Sequence, residues 1–287
     1  MGSGGKMLEK LKILVPFIAL GVMASPIAAS AEEGLAKPWQ MNLQDAASPV
    51  MDKIHDFHSL LMVVMVGIVL FVLAILGYVC FRFSAKRNPV PSKTSHNTLL
   101  EVVWTAVPIV ILIIIAIPGM RLLYFHDRAQ DYEMTLKVTG HQWYWTYNYP
   151  DQGDFEFDSI PVPEGDLEPG QPRLLTVDNR VVLPVDTNIQ VLITADDVIH
   201  NWAVPALGMK IDATPGRINE RWVRIDKEGM YYGMCSELCG VYHSFMPIQV
   251  EAVSKEAFAK WVEQAQEEFA QNDGSSVNLV EAEQKSR

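Results

Sequence analysis

Three apolar runs open the chain, and shorter alternating segments follow them. The first run, ILVPFIALGVMA, is preceded by Lys6, Lys10 and Lys12 and followed by Ala29-Ser30-Ala31. A basic start, a short apolar stretch and a small-x-small site have the form of a cleaved export signal over 1–31, leaving Glu32 as the first mature residue. An anchor helix is the alternative, although the run is short and Pro26 interrupts it. Residues 1–6, MGSGGK, read as an added tag and are set aside. A segment from 32 to 56 then leads into two longer runs. No Asp, Glu, Lys or Arg occurs from Phe57 to Phe81 or from Val102 to Met120. Each run is long enough to cross about 30 Å of hydrocarbon, which predicts a transmembrane hairpin over 57–120 with helices near 57–81 and 100–120. Arg82, Lys86, Arg87 and Lys93 lie in the 82–98 connection with no acid among them. That places the connection in the cytoplasm and both mature ends outside, as an export signal also requires.

From about Asp131 onward the pattern changes. MTLKVTGHQWYWTYNYP, RLLTVDNRVVLPV, NIQVLITADDV, RWVRI and MPIQVEAV read as short strands divided by Gly, Pro, Asp and Asn turns. They predict an external all-β domain over 121–253, an antiparallel sandwich or barrel. Ser254 is a candidate helix cap, and Phe258, Trp261, Val262, Ala265 and Phe269 recur at helical spacing. One amphipathic helix over 254–271 follows, then a polar tail over 272–287.

Charge and cysteine content narrow the chemistry. Formal net charge is -11 over 287 residues. The acids concentrate after residue 120, with 27 acidic against 14 basic residues. That balance argues against nucleic acid and for a cationic partner. Of three cysteines, two fall in MCSELCGVYHSFMP, Met234 to Pro247. Outside the cytoplasm a disulfide is the plain reading of such a pair. It leaves His243, Met246 and the upstream His200 unexplained. Zinc suits Cys and His, whereas a thioether is a soft ligand, and His, Cys and Met together select copper. A mononuclear blue-copper site takes two His, one Cys and a weak Met. This loop supplies one thiolate more, enough for two sulfurs to bridge two metals, with the Glu237 carbonyl as a further donor.

CSELCGVYHSFM, IHNWAVPALGMK and GHQWYWTYNYP together resemble subunit II of the cytochrome c oxidases, in the heme–copper oxidase superfamily. The resemblance spans nearly the whole mature chain. It implies a cupredoxin-like Greek-key domain on a two-helix anchor, carrying a binuclear copper centre. By that resemblance Cys235 and Cys239 bridge the coppers, and His200, His243, Met246 and the Glu237 carbonyl complete the set. The Glu237 side chain would help bind magnesium at the boundary with subunit I, where a solvated loop carboxylate is the alternative. Trp143 would receive the electron from cytochrome c, although aromatics alternating on a strand also serve packing. Asp154, Asp178 and Asp197 match docking acids, each of which could equally be a solvated charge. Asn148 departs from a position often held by Glu, which would shift docking toward Asp151. Glu101 matches the mouth of a proton channel, and its place at a helix start is a sufficient alternative reason for an acid.

The implied activity is electron transfer from cytochrome c to the heme of subunit I, for oxygen reduction coupled to proton pumping. No heme-binding or oxygen-reducing constellation is present, so this subunit would not catalyse alone. The absence of Cys-x-x-Cys-His makes the donor a separate protein. The implied location is the bacterial inner membrane, multi-pass, with the C-terminal domain in the periplasm. A membrane-anchored electron carrier working without an oxidase is the alternative. Cys80 reads as a packing residue, and His55, His58, His96, His126 and His141 are assigned to no metal.

Overall fold

The structure is a computed structural model that describes residues 34–127 and 131–269. The expected export signal and the tail from 272 lie outside the described residues. Helix α1 spans Pro49–Arg82 and helix α2 spans Thr98–Asp127. At the start of α1 the Met51 N–H donates to Ser48 Oγ at 3.0 Å, and Pro49 occupies the first turn, where it sacrifices no bond. At the start of α2 the Leu100 N–H donates to Asn97 Oδ1 at 3.1 Å.

Both helices outrun their apolar stretches. At 34 and 30 residues they are about 50 and 45 Å long, more than the hydrocarbon needs. Much of the surplus, 49–56 in α1 and 121–127 in α2, carries charged residues and lies toward the sandwich, so α2 continues past the expected boundary at 121 to Asp127. Between Met62 and Leu123 the large apolar side chains of both helices are mostly exposed. Such a surface is stable only against lipid or other apolar protein.

Ten strands form the domain: β1 Met134–His141, β2 Tyr144–Tyr149, β3 Phe155–Ser159, β4 Val181–Pro184, β5 Ile189–Ala195, β6 His200–Val204, β7 Met209–Ala213, β8 Asn219–Val223, β9 Gly229–Cys235 and β10 Pro247–Val253. They make two five-stranded sheets, ordered β3-β2-β1-β5-β8 and β4-β10-β9-β6-β7. The antiparallel expectation needs correction at two places. Strand β1 pairs with β5, and β4 with β10, in parallel. The reason is the route of the chain. After β3 it crosses to open the second sheet with β4, then returns to lay β5 beside β1, and a strand that returns from another layer is free to arrive in either direction.

Alternation decides which faces meet. Strands β1 and β5 bury every second residue, and the inward side chains include Leu136, Val138, Val191 and Ile193. Trp145 and Trp202 are fully buried between the sheets. Each removes about 200 Å² from water, on the order of 5 kcal/mol of transfer free energy. Trp202 Nε1 donates to the Tyr147 hydroxyl at 3.2 Å, and the Tyr149 hydroxyl donates to the Val182 carbonyl at 3.0 Å. These bonds keep buried polar atoms satisfied. Gly233 on β9 is required by close approach, because a Cβ there would lie 2.0 Å from the Ala203 carbonyl oxygen.

Helix α3, Lys255–Phe269, closes the domain. Ser254 Oγ accepts the Ala257 N–H at 3.2 Å, as its capping role requires. Trp261 meets Tyr149 and Phe155, and Phe269 stacks on Phe157 at 4.7 Å. The helices are fastened to the sandwich at their outer ends. Ser48 Oγ donates to the Leu207 carbonyl at 2.7 Å, the Ala47 N–H donates to the Ala206 carbonyl, and Trp222 Nε1 donates to the Phe125 carbonyl at 3.0 Å. Arg221 pairs with Asp127.

Candidate metal centre

The fold brings three separated segments to one end of the sandwich. His200 opens β6, and Cys235 closes β9. The loop after β9 carries Glu237, Cys239 and His243 and returns at Met246 into β10. The turn from β1 to β2 carries Gln142 and Trp143 across from the other sheet.

The two sulfurs face each other at 3.8 Å. Each has its own imidazole. His200 Nδ1 lies 3.9 Å from Cys235 Sγ, and His243 Nδ1 lies 3.6 Å from Cys239 Sγ. The Glu237 carbonyl oxygen lies 3.4 Å from Cys235 Sγ, while the Glu237 side chain is exposed. Met246 is fully buried, and its carbonyl accepts the Cys235 N–H at 3.0 Å, which stitches the two ends of the loop together. The ligand atoms of His200, Cys235 and Cys239 all lie within 4.8 Å of one another. All three residues are buried. Two thiols, two imidazoles and a carbonyl converge here, with the buried Met246 beside them in the chain, and that soft set fits copper better than magnesium or calcium.

Electrostatics prepare the thiols unequally. Burial pushes Cys235 up, but the His200 imidazole and the Asn201 backbone outweigh it and bring this thiol down to about 6. Burial, reinforced by the neighbouring Cys235 sulfur, pushes Cys239 up to about 12. The two thiols are thus biased in opposite directions, and a metal held there would require both as thiolates. Burial opposes charge on His200 as well, yet its hydrogen bonds to Cys235 and Asp197 raise its pKa.

Asp197 does more here than the sequence suggested. Its Oδ1 accepts from His200 Nε2 at 2.8 Å. That bond fixes the imidazole so that Nδ1 faces the sulfurs. Asp197 also accepts the Gln142 and Val198 N–H groups at 2.7 and 2.6 Å, and these bonds with His200 lower its pKa against the opposing cost of burial.

The other expected residues divide. Trp143 is half-buried, and its Nε1 donates to the Cys239 carbonyl at 3.3 Å. Its ring meets Tyr242 edge-on at 5.0 Å. Asp178 lies near Asp158 at the end of β3 and accepts the Ile160 and Asn179 N–H groups, so part of its role is to hold a turn. Asp154 lies in the turn from β2 to β3, held by Asn148 Nδ2 at 3.0 Å. That turn is separated from Trp143 by the length of β2, about 17 Å of strand. Glu101 stands apart at the start of α2, where its Oε1 accepts the Asn97 N–H at 3.2 Å.

Two acids went unnamed in the sequence reading. Asp158 pairs across from Thr146 and accepts its hydroxyl at 2.7 Å, and Asp196 faces His141 at 3.6 Å. The alternation of Phe155 and Phe157 inward and Asp158 outward was the available signal. Around the loop, Leu238, Val241, Tyr242 and Phe245 form an exposed apolar rim.

Comparison with known proteins gives one consistent result. Residues 134–253 match the family described as cytochrome C oxidase subunit II, periplasmic domain, and residues 36–122 match the corresponding transmembrane domain. The chain is similar to a probable cytochrome c oxidase subunit 2 of Rickettsia felis, 55% identical over 225 residues that cover 78% of this chain and 71% of that one. It is also similar to the cytochrome c oxidase subunit 2 of Oenothera berteroana, 50% identical over 233 residues covering 79% and 90% of the two chains. Among solved structures, the periplasmic domain of subunit II of cytochrome oxidase from Bradyrhizobium japonicum is 52% identical with a TM-score of 0.47, over 50% of this chain and 99% of that one.

Proposed function

We propose, from the premise that this chain belongs to the cytochrome c oxidase subunit II family, that its sandwich receives electrons from cytochrome c and passes them to the heme of subunit I. The chain is a membrane protein with a periplasmic domain. In this reading it lies in the bacterial inner membrane and serves a complex that reduces oxygen to water and moves protons, without catalysing alone.

The observation that carries the reading is the symmetry of the centre: two thiols 3.8 Å apart, each paired with one imidazole. His200, Cys235, Cys239, His243, Met246 and the Glu237 carbonyl would hold two coppers. Copper bound there supplies a one-electron couple shared over two metals. The protein's part is to keep that set fixed. Asp197 orients His200, the bond from the Cys235 N–H to the Met246 carbonyl holds the loop ends, and burial excludes water. A rigid site changes little between redox states, which suits fast transfer and not bond-making.

Trp143 is the surface contact for the donor, because its indole reaches the Cys239 carbonyl directly. The basic donor is steered by Asp158, Asp178, Asp196 and Asp197 beside the loop, with Asp154 contributing only to the longer-range field. The Glu237 side chain, exposed on the loop, would offer a hard oxygen to magnesium at the boundary with subunit I. Glu101 marks the start of a proton path on the cytoplasmic side.

The test is copper quantitation with low-temperature EPR on the full-length chain purified in detergent. Two coppers per chain and a seven-line hyperfine pattern are expected. One copper with four lines, or none, would require a mononuclear site or a disulfide and would end this reading.

A further inference from the structure

Gln142 is bonded to both sides of the centre. Its backbone N–H donates to Asp197 Oδ2 at 2.7 Å, and Asp197 in turn holds His200. Its side-chain Nε2 donates to the Cys239 carbonyl at 2.7 Å. The same carbonyl accepts from Trp143 Nε1 at the longer distance of 3.3 Å. One residue thus links the first sheet to the turn carrying His200 and to the loop carrying Cys239. The loop is shaped to permit this. Gly240 has φ +126, and a Cβ there would lie 3.0 Å from Trp143 Cζ2 and 3.1 Å from Gln142 Nε2. A side chain at 240 would push the loop off the amide.

We infer that Gln142 is a positioning residue that locks the Cys239 half of the metal centre, and the Trp143 indole with it, to the His200 half. Of the two donors to the Cys239 carbonyl, the amide makes the shorter bond, so it sets where the carbonyl stands. The thiolate follows its own backbone. Trp143 then meets a carbonyl that is already fixed. Without the amide, the indole alone would hold the loop through a 3.3 Å contact. Partners of this kind hold metal ligands in register, and their loss typically costs about ten- to a hundredfold in metal affinity or activity.

The inference rests on the copper reading above, and the experiment separates the two. Full-length protein, wild type, Gln142→Met and Trp143→Phe, is loaded with copper and challenged with a chelator. EPR and the melting temperature of the copper-free form are recorded in parallel. Gln142→Met keeps the backbone N–H to Asp197 and nearly the same volume, and lacks the amide group whose N–H meets Cys239. It is expected to lose copper about tenfold more readily than wild type, with unequal hyperfine coupling at the two metals and an unchanged copper-free melting temperature. Trp143→Phe is expected to keep its copper. Gln142→Glu, which sets a carboxylate against the Cys239 carbonyl, is expected to lose copper still faster. Wild-type retention and spectrum in both Gln142 variants would overturn the inference. So would a copper loss matched by a fall in copper-free melting temperature, since the residue would then only support the fold. A wild type that binds no copper pair would overturn the copper reading itself.

Discussion

Trp143 and Gln142 share one carbonyl partner but carry different burdens. The indole is half-buried, meets Tyr242 edge-on and reaches the outer surface beside an apolar rim. Trp143→Phe keeps an aromatic ring beside Tyr242 and removes the longer N–H contact. The expected result is intact copper with electron arrival from reduced cytochrome c slowed about tenfold or more, an added barrier of about 1.4 kcal/mol. Stopped-flow reduction of the metal centre measures it, and an unchanged rate would place electron arrival elsewhere. The soft donors of the loop, Cys235, Cys239, His243 and Met246, stand out by composition and spacing, because His, Cys and Met in a short stretch suit few purposes. Asp197 does not. Its sequence neighbourhood, ADDVIH, shows only two adjacent acids before a strand. That Asp197 turns in to His200 while Asp196 faces His141 depends on the fold of a turn, and no periodicity reports that.

Elements were legible in proportion to their periodicity. The two long apolar runs and the helix after Ser254 were plain, and so were strands with alternating burial such as β5. Strand β6 buries all five of its residues, so it shows no alternation. Strand β3, with its alternating FEFDS, was missed because it is short and stands within a loop-like stretch. The parallel pairings follow from how the chain crosses between layers, which local sequence does not encode. Glu101 belongs to this scale, because its acid serves a helix end whatever else it does. Asn97 caps the Leu100 N–H, and Glu101 returns to the Asn97 N–H. Glu101→Ala should therefore lose about 1 kcal/mol of local helix stability and should impair proton uptake during turnover without altering copper reduction. Glu101→Gln separates the two roles, because it keeps the oxygen acceptor and abolishes titration. If proton uptake in Glu101→Gln equals wild type, the residue is a cap and the channel assignment falls.

At the scale of the whole molecule, charge and anchoring act together. The acids crowd into the external half, and Asp158, Asp178, Asp196 and Asp197 gather at the end that holds the thiols. Encounter with a basic donor should slow about tenfold between low ionic strength and about 0.2 M salt, while any onward transfer within the assembled complex stays constant. A salt-independent encounter would remove the steering role. The fastening of the hairpin to the sandwich also sets a timetable. Ser48 bonds to Leu207, 159 positions later in the chain. A ribosome needs on the order of ten seconds to add that many residues. Throughout that interval α1 is already spanning the bilayer while its outer collar waits for a partner not yet synthesised. The collar closes only after β6 has crossed the membrane and folded. Until the chain through Leu207 has been made, Ala47 and Ser48 therefore lack the carbonyl partners that join the hairpin to the sandwich.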